Sequence, residues 1–341
     1  MIPAGSRNLE REGRIMRRAT LNFGGSGGGE FVKLAAVAVL LTGLFATGAV
    51  GQQPGQKTFS SPEEASKALY IAAKNNDTNA LMELLGPEGK DVVSSGDEAE
   101  DNRNRANFAK RYEEMSRLMK EPDGSVTLYI GSRNWPYPIP LLNKGNQWYF
   151  DTDAGKQEIL YRRIGWNEAS AIRVCQELTA AEKEYYAKEQ NQYAQKIFSD
   201  EGKQDGLYWK VANGEPESPI GPLVAWAVAQ EYAERRGETA VPYRGYYFHA
   251  LTKQGKDGPG GPKNFVVDGK MSGGFAFVAY PAEYRTSGVM TFIVGEDGIV
   301  YERDLGKKTD TLAKAMKEYN PDSHWTKSEG EQEQAAGETT K

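Results

Sequence analysis

The stretch from Gly274 to Asp304 reads GFAFVAYPAEYRTSGVMTFIVGEDGIVYERD, and it carries the clearest structural signal in the chain. Three runs rich in β-branched and aromatic residues, 274–280, 288–294 and 299–304, are separated by turn-forming residues. Glu296-Asp297-Gly298 lies between the last two runs and is typical of a hairpin turn. The stretch therefore predicts consecutive antiparallel strands.

Two further runs of the same character, 243–253 and 264–268, extend the prediction to a meander of four or five strands. A long helical pattern precedes them from Gly155 to Phe198, with an interruption expected near Gly165. Its apolar positions recur at helical spacing, so this helix is expected to pack on the meander. Two shorter helices are predicted at 222–235 and 311–319.

The first half of the chain predicts helices followed by a small antiparallel sheet. Ser61-Pro62-Glu63-Glu64 is a capping box with proline at the first helical position, and Asp77 can cap a second helix. A third helix is predicted over 102–120. Strands are expected at 125–130, 139–142 and 147–151. Pro136, Pro138 and Pro140 cannot donate ladder hydrogen bonds, which predicts that the strand at 139–142 lies at an edge or is broken.

The fold class predicted is therefore α+β in two domains. Residues 59–153 form helices with a small sheet, and residues 154–320 form a long helix on a meander. A polar linker is expected at 51–58. The residues at 327–341 are rich in Glu, Gln and Gly, which predicts a disordered tail.

The apolar run from Leu34 to Val50 follows a basic flank that includes Arg17, Arg18 and Lys33. A basic flank, an apolar core and small residues after it form the layout of a secretory signal, so 1–50 is interpreted as a signal peptide. A retained membrane anchor is the alternative, since positive flanks stay cytoplasmic in both cases. The predicted location is periplasmic or secreted, or anchored at the inner membrane with the bulk of the chain in the periplasm.

Composition excludes several classes of partner and site. The formal net charge is −5, with no basic cluster after the first 50 residues, which argues against nucleic acid as a partner. Cys175 is the single cysteine, so no intramolecular disulfide forms, and its place on an apolar helix face favours buried packing over reactivity. His249 is interpreted as a packed histidine, and His324 has no partner nearby in sequence. No metal site, cofactor or catalytic residue is predicted, and the balance is against an enzyme.

The remaining candidates for a catalytic or metal-binding role are carboxylates. The acidic segment around Asp97, Glu100 and Asp101 is interpreted as a solvated loop, because the spacing of a calcium loop is absent. Asp151 is expected to cap the long helix. Turn geometry explains Asp297 better than a cation site does.

Four aromatic residues cluster in sequence near the end of the first domain, namely Trp135, Tyr137, Trp148 and Tyr149. If they are exposed together, they could stack on a small ligand or on a partner protein. The other interpretation is that they fill the core of the first domain, because small sheets need bulky fillers. The sequence favours the core and leaves a binding role open.

Seven short motifs are spread along the chain after residue 130: WPYPIP from Trp135, WYFDT from Trp148, IGWNE from Ile164, GPLV from Gly221, GYYF from Gly245, VDGK from Val267 and MTFIV from Met290. Together they resemble the family called domain of unknown function 2950. This resemblance implies an exported bacterial protein and implies no particular activity. Residues 165–305 are also similar, at the level of fold, to pilin-type soluble domains. In pilins, the apolar segment that drives assembly continues directly into the long helix. In this chain the apolar run at 34–50 lies far upstream of the long helix, so assembly into a pilus is not expected.

These observations favour an exported cell-envelope protein with a non-enzymatic binding or assembly role. The alternative is a hydrolase or small-ligand-binding protein whose site lies in 59–153. The predicted partner is an envelope protein or a small ligand, with membrane contact only through 34–50 if that segment is retained. Whether residues 125–150 enclose a cavity or a solid core discriminates between the alternatives.

Overall fold

The computed structural model describes residues 52–188, 192–196, 198–200, 202–209, 218–221, 225 and 241–328. The predicted signal or anchor and all but one residue of the predicted helix at 222–235 lie outside these ranges. The chain divides into two compact units between Tyr161 and Arg162, inside the long helix, whereas the sequence placed the boundary after Asp153.

The helices of the first unit are α1 (Pro62–Lys74), α2 (Thr78–Leu85), α3 (Lys90–Val93) and α4 (Glu98–Glu114). The starts of α1 and α2 agree with the caps predicted from sequence, whereas α4 begins at Glu98, before its predicted start at 102. The Ser61 hydroxyl accepts a hydrogen bond from the Glu64 amide at 3.2 Å, and the Asp77 carboxylate accepts one from the Ala80 amide at 2.9 Å. These bonds satisfy amides that have no partner within the helix.

The sheet of the first unit contains β1 (Ser116–Lys120), β2 (Val126–Ile130), β3 (Trp135–Pro136), β4 (Leu141–Lys144) and β5 (Gln147–Phe150). Its order is β1-β2-β4-β5, all antiparallel, with β3 paired to β2. The strand predicted at 139–142 begins only at Leu141, after the prolines, and it lies between β2 and β5, so the prediction of an edge strand is wrong.

The prediction of one helix over 102–120 is wrong at its C-terminal end. α4 ends at Glu114, the backbone of Met115 is extended, and 116–120 form β1. β1 pairs with β2 along its whole length, from Ser116 opposite Ile130 to Lys120 opposite Val126. The methionines at helical spacing were a coincidence of sequence, because the hairpin ladder overrides a weak local helix preference.

α5 (Thr152–Lys188) is a continuous helix, so the interruption predicted near Gly165 is absent. A single glycine inside a helix costs only about 1 kcal/mol, which the packing of a 37-residue helix can offset. The Asp151 carboxylate accepts a hydrogen bond from the Ala154 amide at 3.1 Å, as expected of a cap. Among the helices described, none is both long and apolar enough to cross a membrane.

In the second unit, the elements after α5 are β6 (Tyr246–Leu251), β7 (Lys253–Gln254), β8 (Lys263–Asn264), β9 (Val266–Val267), β10 (Lys270–Met271), β11 (Ala276–Pro281), β12 (Met290–Gly295), β13 (Val300–Asp304), α6 (Thr309–Ala315), β14 (Glu318–Tyr319) and β15 (Thr326–Lys327). The main sheet has the order β15-β13-β12-β11-β6, with antiparallel pairs throughout. The turn after β12 contains Gly298 at φ +78°, as the hairpin signal predicted.

Three details of the predicted meander differ from the structure. The expected strand at 264–268 is not in the main sheet and divides between β8 and β9. The last helix ends at Ala315, and β14 instead pairs in parallel with β7. Lys327 pairs with Tyr301, so ordered strand continues to the predicted start of the tail.

One apolar core joins α5 to the main sheet. Cys175 and Leu178 on the helix and Val278 and Ile293 on β11 and β12 are fully buried in the same cluster. The thiol has no disulfide partner, and burial raises its pKa to about 12, so it stays protonated. The prediction that Cys175 is a packing residue is confirmed.

Candidate functional site

The first unit contains a cavity of about 50 Å³ that is partly open to solvent. Its apolar wall includes Leu69 and Ala73 from α1, Leu81 from α2 and Phe108 from α4. Space for a water molecule takes roughly 10–15 Å³ by this kind of measure, so the cavity is larger than a packing defect. It is a candidate site for a small molecule.

Three polar side chains line the cavity from one face of α4. Asp101, Asn104 and Arg105 are spaced three and four residues apart, which places them together on the helix surface. The start of α4 is fixed by Asp97, whose carboxylate accepts a hydrogen bond from the Glu100 amide at 3.0 Å. The helix therefore presents polar groups to an otherwise apolar space.

Asp101 is held by the loop that precedes α4. Its carboxylate accepts hydrogen bonds from the Ser95 amide at 3.0 Å, from the Ser95 hydroxyl at 2.8 Å and from the Ser94 hydroxyl at 3.1 Å. Asp101 and Glu100 are both buried, and burial raises the pKa of Glu100. The interpretation of this segment as a solvated acidic loop was therefore wrong, because its carboxylates organise a helix start.

Asn104 is the polar residue of the cavity whose hydrogen bonding is incomplete. Its side chain is 8% exposed, and its Nδ2 atom has no hydrogen-bond partner among the described residues. A buried amide left without an acceptor costs roughly 1–3 kcal/mol. The atom has almost no accessible surface, so it is enclosed by its neighbours although the residue lines the cavity.

The guanidinium of Arg105 lies at the same wall. It donates to the backbone carbonyl of Val93 at 2.9 Å and to the side-chain oxygen of Asn76. These bonds hold the positive charge one helical turn from the negative charge of Asp101. The side of the cavity formed by α4 therefore carries both signs of charge and little net charge.

Tyr137 closes the cavity from the proline-rich segment. Its ring meets that of Phe108 edge-on, with centroids 5.4 Å apart. Burial raises the pKa of its hydroxyl, so this group keeps its proton and can donate a hydrogen bond. Tyr137 thus contributes part of the cavity wall.

A family model described as "Protein of unknown function (DUF2950)" matches residues 56–328 of the chain. The chain belongs to this family. No curated protein and no solved structure matches it. The similarity to pilin-type domains at 165–305 is thus not confirmed by any comparison and stays a prediction.

The four aromatic residues for which the sequence favoured the core and left a binding role open are placed differently from one another. Tyr137 and Tyr149 are buried, while Trp135 and Trp148 are half-buried and pack against the core of the first unit. Of the four, only Tyr137 lines the cavity. The residues that accompany it there, Asp101 and Asn104 among them, were missed as site residues. Their helical spacing with Phe108 was the available signal.

Two stretches of the family resemblance meet in the second unit. The Asn167 side chain donates to the Ser287 carbonyl at 2.8 Å. One oxygen of Glu168 accepts from the amides of Val289 and Met290, at 2.8 and 3.0 Å. Burial raises the pKa of Glu168, which these amide bonds partly oppose. One oxygen of this carboxylate therefore links α5 to the start of β12.

In the second unit, His249 and Asp297 were also considered as catalytic or metal-binding residues, and both make hydrogen bonds within the fold. The ring nitrogens of His249 lie 3.1 Å from the Ala250 carbonyl and 2.9 Å from the Ala313 carbonyl, so the prediction of a packed histidine is confirmed. Asp297 accepts from the Ile299 amide, as its turn role requires. Within the described ranges, no three His, Cys, Asp or Glu residues are placed to hold a metal ion.

Proposed function

We propose that this protein is exported to the cell envelope and that its role there is to bind a small molecule in the cavity between α1, α2, α4 and Tyr137. The observation that carries the proposal is the cavity itself, which is larger than a packing defect and has an apolar wall with polar residues of α4 on one side.

Binding is favoured over hydrolysis by the state of the polar groups at the cavity. A hydrolase needs a nucleophile and a base within hydrogen-bond reach of the substrate. The carboxylate of Asp101 already accepts hydrogen bonds from Ser94 and Ser95. It is therefore committed to the fold and poorly available as a base. An amide, a guanidinium and a tyrosine hydroxyl are groups that orient a ligand.

The export part of the proposal is supported by the basic flank and apolar run before residue 51. Fractionation of the source cells, with N-terminal sequencing of the recovered protein, tests it. Recovery in the periplasm with a new N-terminus after Ala49 or Gly51 would support a cleaved signal. Recovery in the membrane fraction with residues 34–50 intact would support the anchor, and recovery in the cytosol would exclude both.

The binding part is tested by filling the cavity. Ala73→Leu adds three carbons at the apolar wall, while Ala106→Leu makes the same change on the exposed side of α4. Protein purified from the envelope is expected to carry a small molecule in native mass spectrometry. The added mass should persist in Ala106→Leu and disappear in Ala73→Leu. A ligand retained equally by both variants would place the site elsewhere.

A further inference from the structure

We propose that two copies of this chain associate through β1, so that the sheets of their first units join into one antiparallel sheet. β1 lies at the end of its sheet, and its neighbour among the described strands is β2. Four of its five residues are exposed, and Leu118 is half-buried. The other end of the same sheet is closed, because Phe59 exchanges backbone hydrogen bonds with Trp148 on β5. This interface goes beyond the proposed ligand site and does not depend on it.

The register of the β1–β2 hairpin shows in which direction each backbone group of β1 points. The Gly131 N–H donates to the Met115 carbonyl, and the Glu121 N–H donates to the Ser125 carbonyl, both at 2.9 Å. In an antiparallel ladder, residue pairs that exchange hydrogen bonds alternate with pairs that do not. Every second residue between these two bonds therefore bonds to β2, and the residues between them direct their backbone groups to the other side.

Ser116, Leu118 and Lys120 consequently direct their N–H and C=O groups toward the open edge. Within the described ranges, no strand pairs with β1 on this side. Unpaired strand edges attract other strands, and proteins commonly block them with a proline, a bulge or a covering segment. β1 contains no proline, and its five residues pair with β2 in an uninterrupted register. The edge is therefore a regular template for one more strand.

A second copy of β1 fits this template in one register. Antiparallel pairing about a twofold axis at Leu118 places Leu118 opposite its own copy and Ser116 opposite Lys120. All three residues then occupy hydrogen-bonded positions, so each of their outward N–H and C=O groups gains a partner. Twofold symmetry is also the commonest symmetry of protein oligomers.

The side chains of β1 favour the same register. Leu118 packs partly against the core of the first unit, so its copy extends that core across the interface. Arg117 lies opposite Met119, which is 38% exposed and offers an apolar surface. The Arg117 guanidinium is already directed onto the ring of Tyr129, 5.1 Å from the ring centroid. A twofold axis at Arg117 would instead place two guanidinium groups directly opposite each other, which is unfavourable.

Hydrogen exchange at single amides, measured on the full chain at several concentrations, tests the interface. The Leu118 and Lys120 amides should exchange rapidly in dilute solution. They should become protected as concentration rises, in step with the dimer mass found by sedimentation equilibrium. The Arg117 and Met119 amides bond to β2 and should be protected at every concentration, so they are the internal control.

Charge exchange at the centre of the interface tests the register. Leu118→Glu or Leu118→Lys alone places like charges opposite each other, so each should dimerise about fivefold more weakly than the neutral control Leu118→Gln. An equimolar mixture of the two should form heterodimers about fivefold more tightly than this control, because opposite charges then face each other. Leu118→Pro removes an outward N–H without removing a β1–β2 bond and should also prevent dimers, which provides a second test if a charged variant folds poorly.

Four results would overturn the proposal. One is a chain that stays monomeric at all concentrations, and another is a dimer whose Leu118 amide remains unprotected, since its interface then lies elsewhere. Protection of the Leu118 amide that does not depend on concentration would show that a segment of the same chain covers the edge. A mixture of the two charged variants that dimerises no better than either alone would exclude the register centred on Leu118.

Discussion

Replacing Glu182 with glutamine is expected to stabilise the second unit at neutral and alkaline pH and to have little effect in mild acid. Glu182 lies on α5 with 2% of its surface exposed. Its carboxyl accepts a hydrogen bond from the Ala194 amide at 2.9 Å. Burial raises the pKa to about 8, and this amide only partly opposes the rise. Glutamine keeps the shape and an acceptor oxygen while removing the ionisation.

The size of the effect follows from the two pKa values. In the unfolded chain the carboxyl ionises near its ordinary value of 4.5, and in the folded chain near 8. Below pH 4.5 both states are protonated and the group has no influence on the pH dependence. As pH rises from 4.5 to 8, only the unfolded state gains by ionising, so stability is lost over that interval. The loss relative to glutamine is under about 1 kcal/mol at pH 5 and about 4 kcal/mol at pH 8.

Urea denaturation of wild type and Glu182→Gln at pH 5, 6, 7 and 8 measures this difference. Hydrogen exchange at the Ala194 amide provides a local measurement of the same contact. Glu177→Gln is the matched control, because Glu177 is exposed on the same helix and solvent screens its charge. If wild type and Glu182→Gln keep a constant difference from pH 5 to pH 8, then the carboxyl does not titrate as buried and the reasoning is refuted.

Three further substitutions test contacts that organise the two units. Glu168→Leu should destabilise the second unit by about 2–3 kcal/mol, because two strand amides lose a charged acceptor, while Glu168→Gln should restore part of the loss in thermal denaturation. Asp101→Ala should lower the free energy of unfolding by about 2–3 kcal/mol, because the Ser95 amide loses its acceptor. Hydrogen exchange at the Ser95 amide should become faster, and unchanged exchange would contradict the role assigned to this carboxylate. Asp77→Ala should cost about 1 kcal/mol in urea denaturation by removing the cap of α2, and Asp77→Asn should cost less.

Local patterns in the sequence predicted much of the fold. The caps at Ser61 and Asp77 and the hairpin turn at Gly298 were predicted correctly, because each depends on a few neighbouring residues. Strand alternation likewise predicted β11 to β13, and a helical apolar face predicted the burial of Cys175. The family was recognisable for the same reason, since its motifs are short continuous stretches.

The elements that the sequence missed depend on partners far along the chain. Residues 116–120 have a helical pattern of methionines and become a strand only because 126–130 pair with them. β14 forms by pairing in parallel with β7, and the residues of β14 alone do not predict this pairing. Strand formation depends on cross-strand neighbours more than on intrinsic preference, so these errors fall where pairing outweighs propensity.

The cavity was beyond local reasoning for the same physical reason. Sequence alone determined that Asn104 lies on a helix, and the helical spacing places it beside Phe108. Only the tertiary structure placed Tyr137 against that face and buried the Asn104 amide away from any acceptor in the described part of the chain. Whether a polar side chain meets solvent, a partner or an empty space depends on distant residues that pack around it. Periodicity within one segment therefore determines which face is presented, and the fold of the whole unit determines what that face encloses.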